Sequence, residues 1–322
     1  MFDLDDLKKT RCLPNRLWTT TSCALADVLF ALPRRTTISF EGLENIPDEP
    51  VVISPNHTHK FDFLPIRARM LTRHNVQMAT WIKARDYLSR PMAVFFDQTG
   101  NIPLISRGYV VAADFAAVHG RRPTEDEYRP LRAWVDELAD QPAADAYEPL
   151  LNRPREILGI GYDPATEAFD VAVRRIYTIF MQQTLALAER VRDAGIHQQI
   201  YPQGATSSQL TPGKTGAVQA ALALGLDIVP VGISGCREVF VGNSPLARGG
   251  DIVIRFGESM SVGGLTGGDV SAFDPEWEHR YDEQLRARTG ELMARINELV
   301  EPAYRWADDG RSDGKTGVKR FF

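Results

Sequence analysis

The chain has 322 residues, 43% of them hydrophobic, and a formal net charge of −5. That apolar content supports one large domain or two small ones and excludes wholesale disorder. A pI near 5.8 excludes a nucleic-acid binder held by general basicity. Three cysteines, Cys12, Cys23 and Cys236, form no CxxC pair and fit a reducing compartment rather than a disulfide framework.

Residues 1–35 read as an N-terminal helical segment, with Pro33 and two arginines ending it. The opening MFDLDDLKK is acidic where a secretory signal is basic. Leu17 to Leu32 carries Asp27 and falls short of the roughly 20 apolar residues a membrane span needs. It reads as an amphipathic helix lying on a membrane or as a helix packed on the core.

Thr36 to Phe40 alternates as a strand, a turn follows at 42–47, and Val51 to Ser54 is a buried strand. A helix is expected from near His57 through Met70, then strands at Val76–Trp81 and Ile102–Ile105. Residues from about 110 to 170, rich in Ala, charge and Pro, read as a helical insertion. Val171 to Ala194 is a helix stopped by Gly195, and Gln199 to Tyr201 a short strand. A loop at 202–213 leads to a helix from Lys214 to Leu224, capped by Gly225. Strands follow at Ile228–Ile233 and Asp251–Phe256, and a long polar helix from Asp274 to Trp306. The last residues, 307–322, read as a flexible tail. Strands alternating with helices predict an α/β fold, a mixed central sheet flanked by helices.

The chemistry-bearing segment is Ser54-Pro55-Asn56-His57-Thr58-His59-Lys60-Phe61-Asp62, which leaves the C-terminal end of a buried strand. Five residues apart in an ideal helix, His57 and Asp62 would point about 140° apart. A helix that starts between them would let the carboxylate turn back onto the imidazole. Asp62 would then fix the tautomer, leaving His57 as a general base.

The whole string, with "VVIS" before it, resembles the first motif of the PlsC-type glycerolipid acyltransferase superfamily, which includes glycerol-3-phosphate and lysophosphatidate acyltransferases. Further blocks follow in that family's order. Gly100 to Gly108 (GNIPLISRG) looks like the second motif and Tyr201 to Ser208 (YPQGATSS) like the third, usually FPEGTRS. Lys214-Thr215-Gly216-Ala217 is similar to the segment after it, and Ile228-Val229-Pro230-Val231 to the fourth. The resemblance implies a domain over 36–306 that moves a fatty acyl group from acyl-CoA or acyl-carrier protein to a glycerol phosphate or lysophospholipid hydroxyl. It implies His57 and Asp62 as the catalytic pair, Arg107, Gly204, Thr206 and Lys214 around the acceptor's phosphate, and Asn56, Gln203 and Pro230 in support. It implies no metal, no redox cofactor, no nucleic-acid partner, and peripheral attachment to the inner face of a membrane.

Gln203 stands where the third motif has Glu, and Ser207 where it has Arg. Both put the acceptor in doubt, as does the stretch of roughly 90 residues between the second and third motifs. Two other readings stand beside transfer. One is a non-catalytic relative that binds lipid or acyl carrier. The other is a zinc hydrolase using His57, His59 and Asp62. Pro212 to Thr215 is not a P-loop, because Ser208 stands where its first glycine belongs.

Overall fold

The computed structural model describes residues 1–31, 35–142, 147–240, 242, 244–268, 270–308, 310–311, 313–314 and 317–321. The expected break at Pro33 lies outside them. Among the described residues a seven-stranded sheet forms from β1 (Thr36–Glu41), β2 (Val52–Pro55), β3 (Met78–Lys83), β4 (Ile102–Leu104), β7 (His197–Gln199), β8 (Ile228–Ser234) and β9 (Gly250–Phe256). Its order is β1-β9-β8-β2-β7-β3-β4. β8, β2, β7, β3 and β4 are parallel; β9 runs antiparallel to β8 and carries β1 parallel to itself. The expected mixed sheet is therefore what the chain builds. Alternation along the strands splits the core between two faces. Val52 and Ala79 join one apolar cluster, Ile53 and Met78 the other.

The helices are α1 (Leu4–Lys9), α2 (Arg16–Ala31), α3 (Phe63–His74), α4 (Arg90–Gln98), α5 (Arg107–His119), α6 (Glu125–Val135), α7 (Glu148–Leu151), α8 (Phe169–Asp193), α9 (Gly216–Leu224), α10 (Cys236–Val239), α11 (Pro275–Arg280) and α12 (Asp282–Leu299). α2 lays Cys23, Ala26 and Phe30 into the second cluster. α8 buries Val173, Ile176, Phe180 and Leu187 in the first. α12 crosses β8 closely enough that a Cβ on Gly232 would sit 2.5 Å from the Leu299 carbonyl carbon, so a side chain there would push the helix off the sheet.

Several boundaries differ from the sequence expectation. The helix expected from His57 begins at Phe63, because residues 56–62 form a loop folded around the Asp62 carboxylate. The helix expected from Asp274 to Trp306 is two helices broken at Tyr281, followed by a 3-10 turn at Pro302–Tyr304. The N-terminal segment is also two helices, with Pro14 in the gap.

Within 110–170 the chain adds α6, α7 and a hairpin of β5 (Arg155–Ile157) and β6 (Ile160–Tyr162) to α5. Leu158 and Gly159 both have positive φ, as a tight hairpin turn requires. Arg155 pins the hairpin to α5 through both oxygens of the buried Asp114, with Nε at 2.9 Å. Its guanidinium also lies 4.8 Å from the Tyr162 ring centroid. In the segment expected to be a tail, some of the described residues lie against the domain while Asp308, Gly310, Arg311, Asp313 and Lys319 are exposed. Val318 is buried, its N–H meets Glu125, and Phe321 packs on Tyr128. No helix among the described residues is long and apolar enough to cross a membrane.

Candidate active site

The loops after β2, β7 and β8 leave the same edge of the sheet, since these strands are parallel neighbours. The first carries the dyad. Asn56 reaches across to β8, donating Nδ2 to the Ile233 carbonyl at 2.9 Å and accepting the Ile233 N–H at 2.6 Å. Ser54 Oγ donates to the Ile200 carbonyl at 3.0 Å. The strand end is thus fixed from both sides before the chain reaches His57.

Asp62 is fully buried, and its Oδ2 gathers the loop around itself. It accepts the N–H of Thr58 at 2.6 Å and of His59 at 2.9 Å, and His57 Nδ1 stands 3.2 Å from it. Burial first, then the negative charge of Asp62, hold the Cys236 thiol neutral by pushing its pKa well up. A buried carboxylate without Lys or Arg beside it is kept in place by such donors. With Nδ1 turned to Asp62, the tautomer that leaves Nε2 unprotonated is favoured. The His57 side chain remains 15% exposed, so substrate can reach it. The Tyr201 ring packs against the imidazole, tilted by 32° with centroids 4.1 Å apart, and its hydroxyl accepts from Gln199 at 2.9 Å. Burial raises the pKa of that phenol well above its ordinary value, so it stays neutral.

Gln203 has both ends of its amide in use. Oε1 accepts the His57 N–H at 2.8 Å, while Nε2 donates to the Gln209 carbonyl and Thr211 Oγ1, both at 3.3 Å. A glutamate could accept from His57 but could not donate to the other two. Ser207 N–H in turn donates to the His57 carbonyl at 2.8 Å. Gly204 turns the loop with φ +67°. Thr206 is half-buried on that loop. Lys214 is exposed in the loop before α9, not in the helix as expected, and its N–H donates to the Pro202 carbonyl at 2.8 Å. Pro230 sits inside β8 opposite Ser54, its carbonyl accepting the Gly257 N–H at 2.9 Å.

Arg107 opens α5 beyond β4, three strand positions from β2, about 14 Å across the sheet. Its guanidinium lies 3.5 Å from Asp136, 3.6 Å from Glu278 and over the Tyr177 ring. The structure therefore joins Asn56, His57, Asp62, Gln203 and Gly204 in one connected site and places Arg107 at the sheet's edge. The loop between α4 and β4 is tied to α3 by the buried Arg67, whose guanidinium donates to Asn101 Oδ1 and the Thr99 carbonyl.

The other loop histidine has different work. His59 Nε2 meets the Gly242 carbonyl at 3.0 Å, the Phe61 N–H points to Nδ1 at 3.4 Å, and the ring stacks on Phe240. With Nε2 facing the Gly242 carbonyl and Nδ1 facing the Phe61 N–H, each His59 ring nitrogen already has a protein partner. No group of three metal-ligating side chains is gathered among the described residues.

Tyr201 and Cys236 were not singled out in the sequence as partners of the dyad. Tyr201 had a signal, two residues before Gln203 in the same block; Cys236 lies 174 positions beyond Asp62 and had none.

Fold and site together define a mixed α/β protein with a fully buried aspartate and a partly buried histidine paired at the C-terminal edge of its central parallel strands. Among solved structures the chain is similar to the 1-acyl-sn-glycerophosphate (LPA) acyltransferase PlsC from Thermotoga maritima, with 13% identity and a TM-score of 0.40 over 87% of this chain and 80% of that one. No family model and no curated protein matches the chain.

Proposed function

We infer that the protein is an O-acyltransferase that moves a fatty acyl group from a thioester to a hydroxyl. The observation that carries this reading is His57 Nδ1 held 3.2 Å from a fully buried carboxylate. Nε2 takes the proton of the acceptor hydroxyl as its oxygen attacks the thioester carbonyl carbon. The resulting imidazolium is stabilised by Asp62. Backbone N–H groups of the 203–206 loop stabilise the oxyanion. As the carbon–sulfur bond breaks, the imidazolium returns its proton to the leaving thiolate, giving ester and free thiol. No covalent enzyme intermediate and no cofactor enter this scheme; acyl-CoA or acyl-carrier protein is the co-substrate.

The acceptor in this reading is a glycerol phosphate or lysophospholipid, with Gly204, Thr206, Lys214 and Arg107 on its phosphate. Arg107 must exchange its pairs with Asp136 and Glu278 to serve there. Thiol release from one acyl-CoA, run against glycerol-3-phosphate, lysophosphatidate and uncharged lysolipids, tests both parts. Release with phosphorylated acceptors supports the reading; release only with uncharged ones removes the phosphate role of these four residues.

The membrane contact belongs to α2. Its Cys23, Ala26 and Phe30 face the core, while Leu17, Trp18, Leu25 and Val28 stand 50% or more exposed on the opposite side. On a helical wheel the two sets are centred about 160° apart, so this helix is apolar on both faces. Met92 and Val94 of α4 are also exposed, and the Asn15 N–H donates to the Gln98 carbonyl, tying the start of α2 to the end of α4. A lipid surface covers such a face at no cost to folding.

A further inference from the structure

Beside His57, a carboxylate from the far end of the chain occupies a cradle of donors. Asp313 Oδ1 accepts the Ser208 N–H at 2.8 Å and the Ser207 hydroxyl at 3.2 Å. Its Oδ2 lies 3.1 Å from Arg237 Nη1. Three donors, two from the loop after β7 and one from α10, converge on one anion: a backbone N–H, a hydroxyl and a guanidinium. Burial alone would raise the pKa of Asp313, but the bonds from Ser208 and Ser207 and the charge of Arg237 outweigh it and lower the value. The same Ser207 donates its N–H to the His57 carbonyl, so the cradle is one residue's thickness from the dyad. Asp313 and Arg237 are each about half exposed, so the carboxylate can leave and another anion enter.

We propose that Ser207, Ser208 and Arg237 form a subsite for a phosphate ester of the reacting substrates, and that Asp313 holds this subsite as an internal competitor. The chemistry is shared: a phosphate oxygen accepts the same three donors as a carboxylate oxygen, and an additional negative charge strengthens the pairing with Arg237. Ser207 stands where the family motif has an arginine, and Arg237 brings a guanidinium to the same loop from β8's end. Because Asp313 is on the same chain, it competes at a high effective concentration. The apparent affinity for phosphate is then the intrinsic one reduced by the fraction of molecules whose cradle is free. The phosphate ester's identity rests on the acyl-transfer reading; the binding does not.

The test is direct titration of the full chain by calorimetry with inorganic phosphate, glycerol-3-phosphate and CoA, in wild type, Asp313→Asn and Asp313→Asn/Arg237→Gln. Asp313→Asn is expected to bind inorganic phosphate about tenfold more tightly than wild type. Arg237→Gln in that background is expected to remove the gain. Both substituted side chains are half exposed, and matched thermal midpoints establish that the fold is intact. A gain shared by glycerol-3-phosphate but not by CoA assigns the subsite to the acceptor; the reverse assigns it to the thioester carrier. Equal affinities in wild type and Asp313→Asn, no binding in either, or a gain that survives Arg237→Gln overturns the proposal. Absence of thiol release with intact phosphate binding would instead defeat the acyl-transfer reading and leave this subsite standing.

Discussion

The Gln203 amide oxygen accepts the backbone N–H of His57 at 2.8 Å, while its nitrogen donates to the Gln209 carbonyl and Thr211 Oγ1. The loop after β7 is thereby fastened to the His57 loop after β2 by a neutral side chain that is 5% exposed.

Gln203→Glu tests that fit. A carboxylate would face the Gln209 carbonyl with no proton to offer, which costs about 1–3 kcal/mol. The new carboxyl would have a raised pKa in the folded state. Below the unfolded pKa, near 4.3, both states are protonated and the penalty is small. It grows as pH rises from there toward the folded pKa and levels off above it. Urea unfolding at pH 5 and pH 8 should show the larger deficit, relative to wild type, at pH 8. An equal deficit at both values would remove the donor role of Nε2.

Asp62→Asn separates orientation from packing. Asn can still accept the Thr58 and His59 N–H groups, so stability should fall by no more than about 1–3 kcal/mol. It cannot stabilise an imidazolium, and turnover should fall about 10²- to 10⁴-fold with little change in KM. A large KM change with unaltered kcat would assign Asp62 to binding instead.

How much of this was legible in the sequence differs by element. β2 and β8 were readable because they are short apolar runs between breakers, and α9 because Gly225 takes the left-handed cap. The site's residues were legible as a string of motifs. Their geometry was not, because the turn of the 56–62 loop is made by Asp62 accepting N–H groups at i−4 and i−3, a non-helical choice that periodicity does not report. The β5–β6 hairpin was hidden by three-residue strands whose stability comes from Arg155 reaching Asp114, 41 positions away. The Asp313 contact spans 105 positions to Ser208 and has no local signature.

His197 gives the fold an acid-sensitive point. Burial lowers its pKa, and its Nδ1 accepts the Val51 N–H at 3.3 Å between β7 and β2. The unfolded chain takes up a proton near pH 6.5 while the folded one resists. Its contribution is therefore complete above that pH and is lost as pH falls from about 6.5 toward the lower folded value. The slope of unfolding free energy between pH 7 and pH 5 should be shallower in His197→Gln than in wild type. An unchanged slope would mean that His197 does not titrate differently on folding.

The α2 face can be removed without touching the core. Changing Leu17, Trp18, Leu25 and Val28 together to Ser or Gln should leave the thermal midpoint within a few degrees, since each is at least half exposed. Vesicles of phosphatidylglycerol and phosphatidylethanolamine should float wild type and lose the variant. Flotation that is equal for both would move the membrane contact elsewhere.

The most direct measurement is thiol release from palmitoyl-CoA in the presence of lysophosphatidate, comparing wild type with His57→Ala at matched fold. Acceptor-dependent release by wild type, cut at least about 10³-fold in His57→Ala, is the expected result. Release that persists undiminished without the imidazole would contradict a mechanism built on His57 and Asp62.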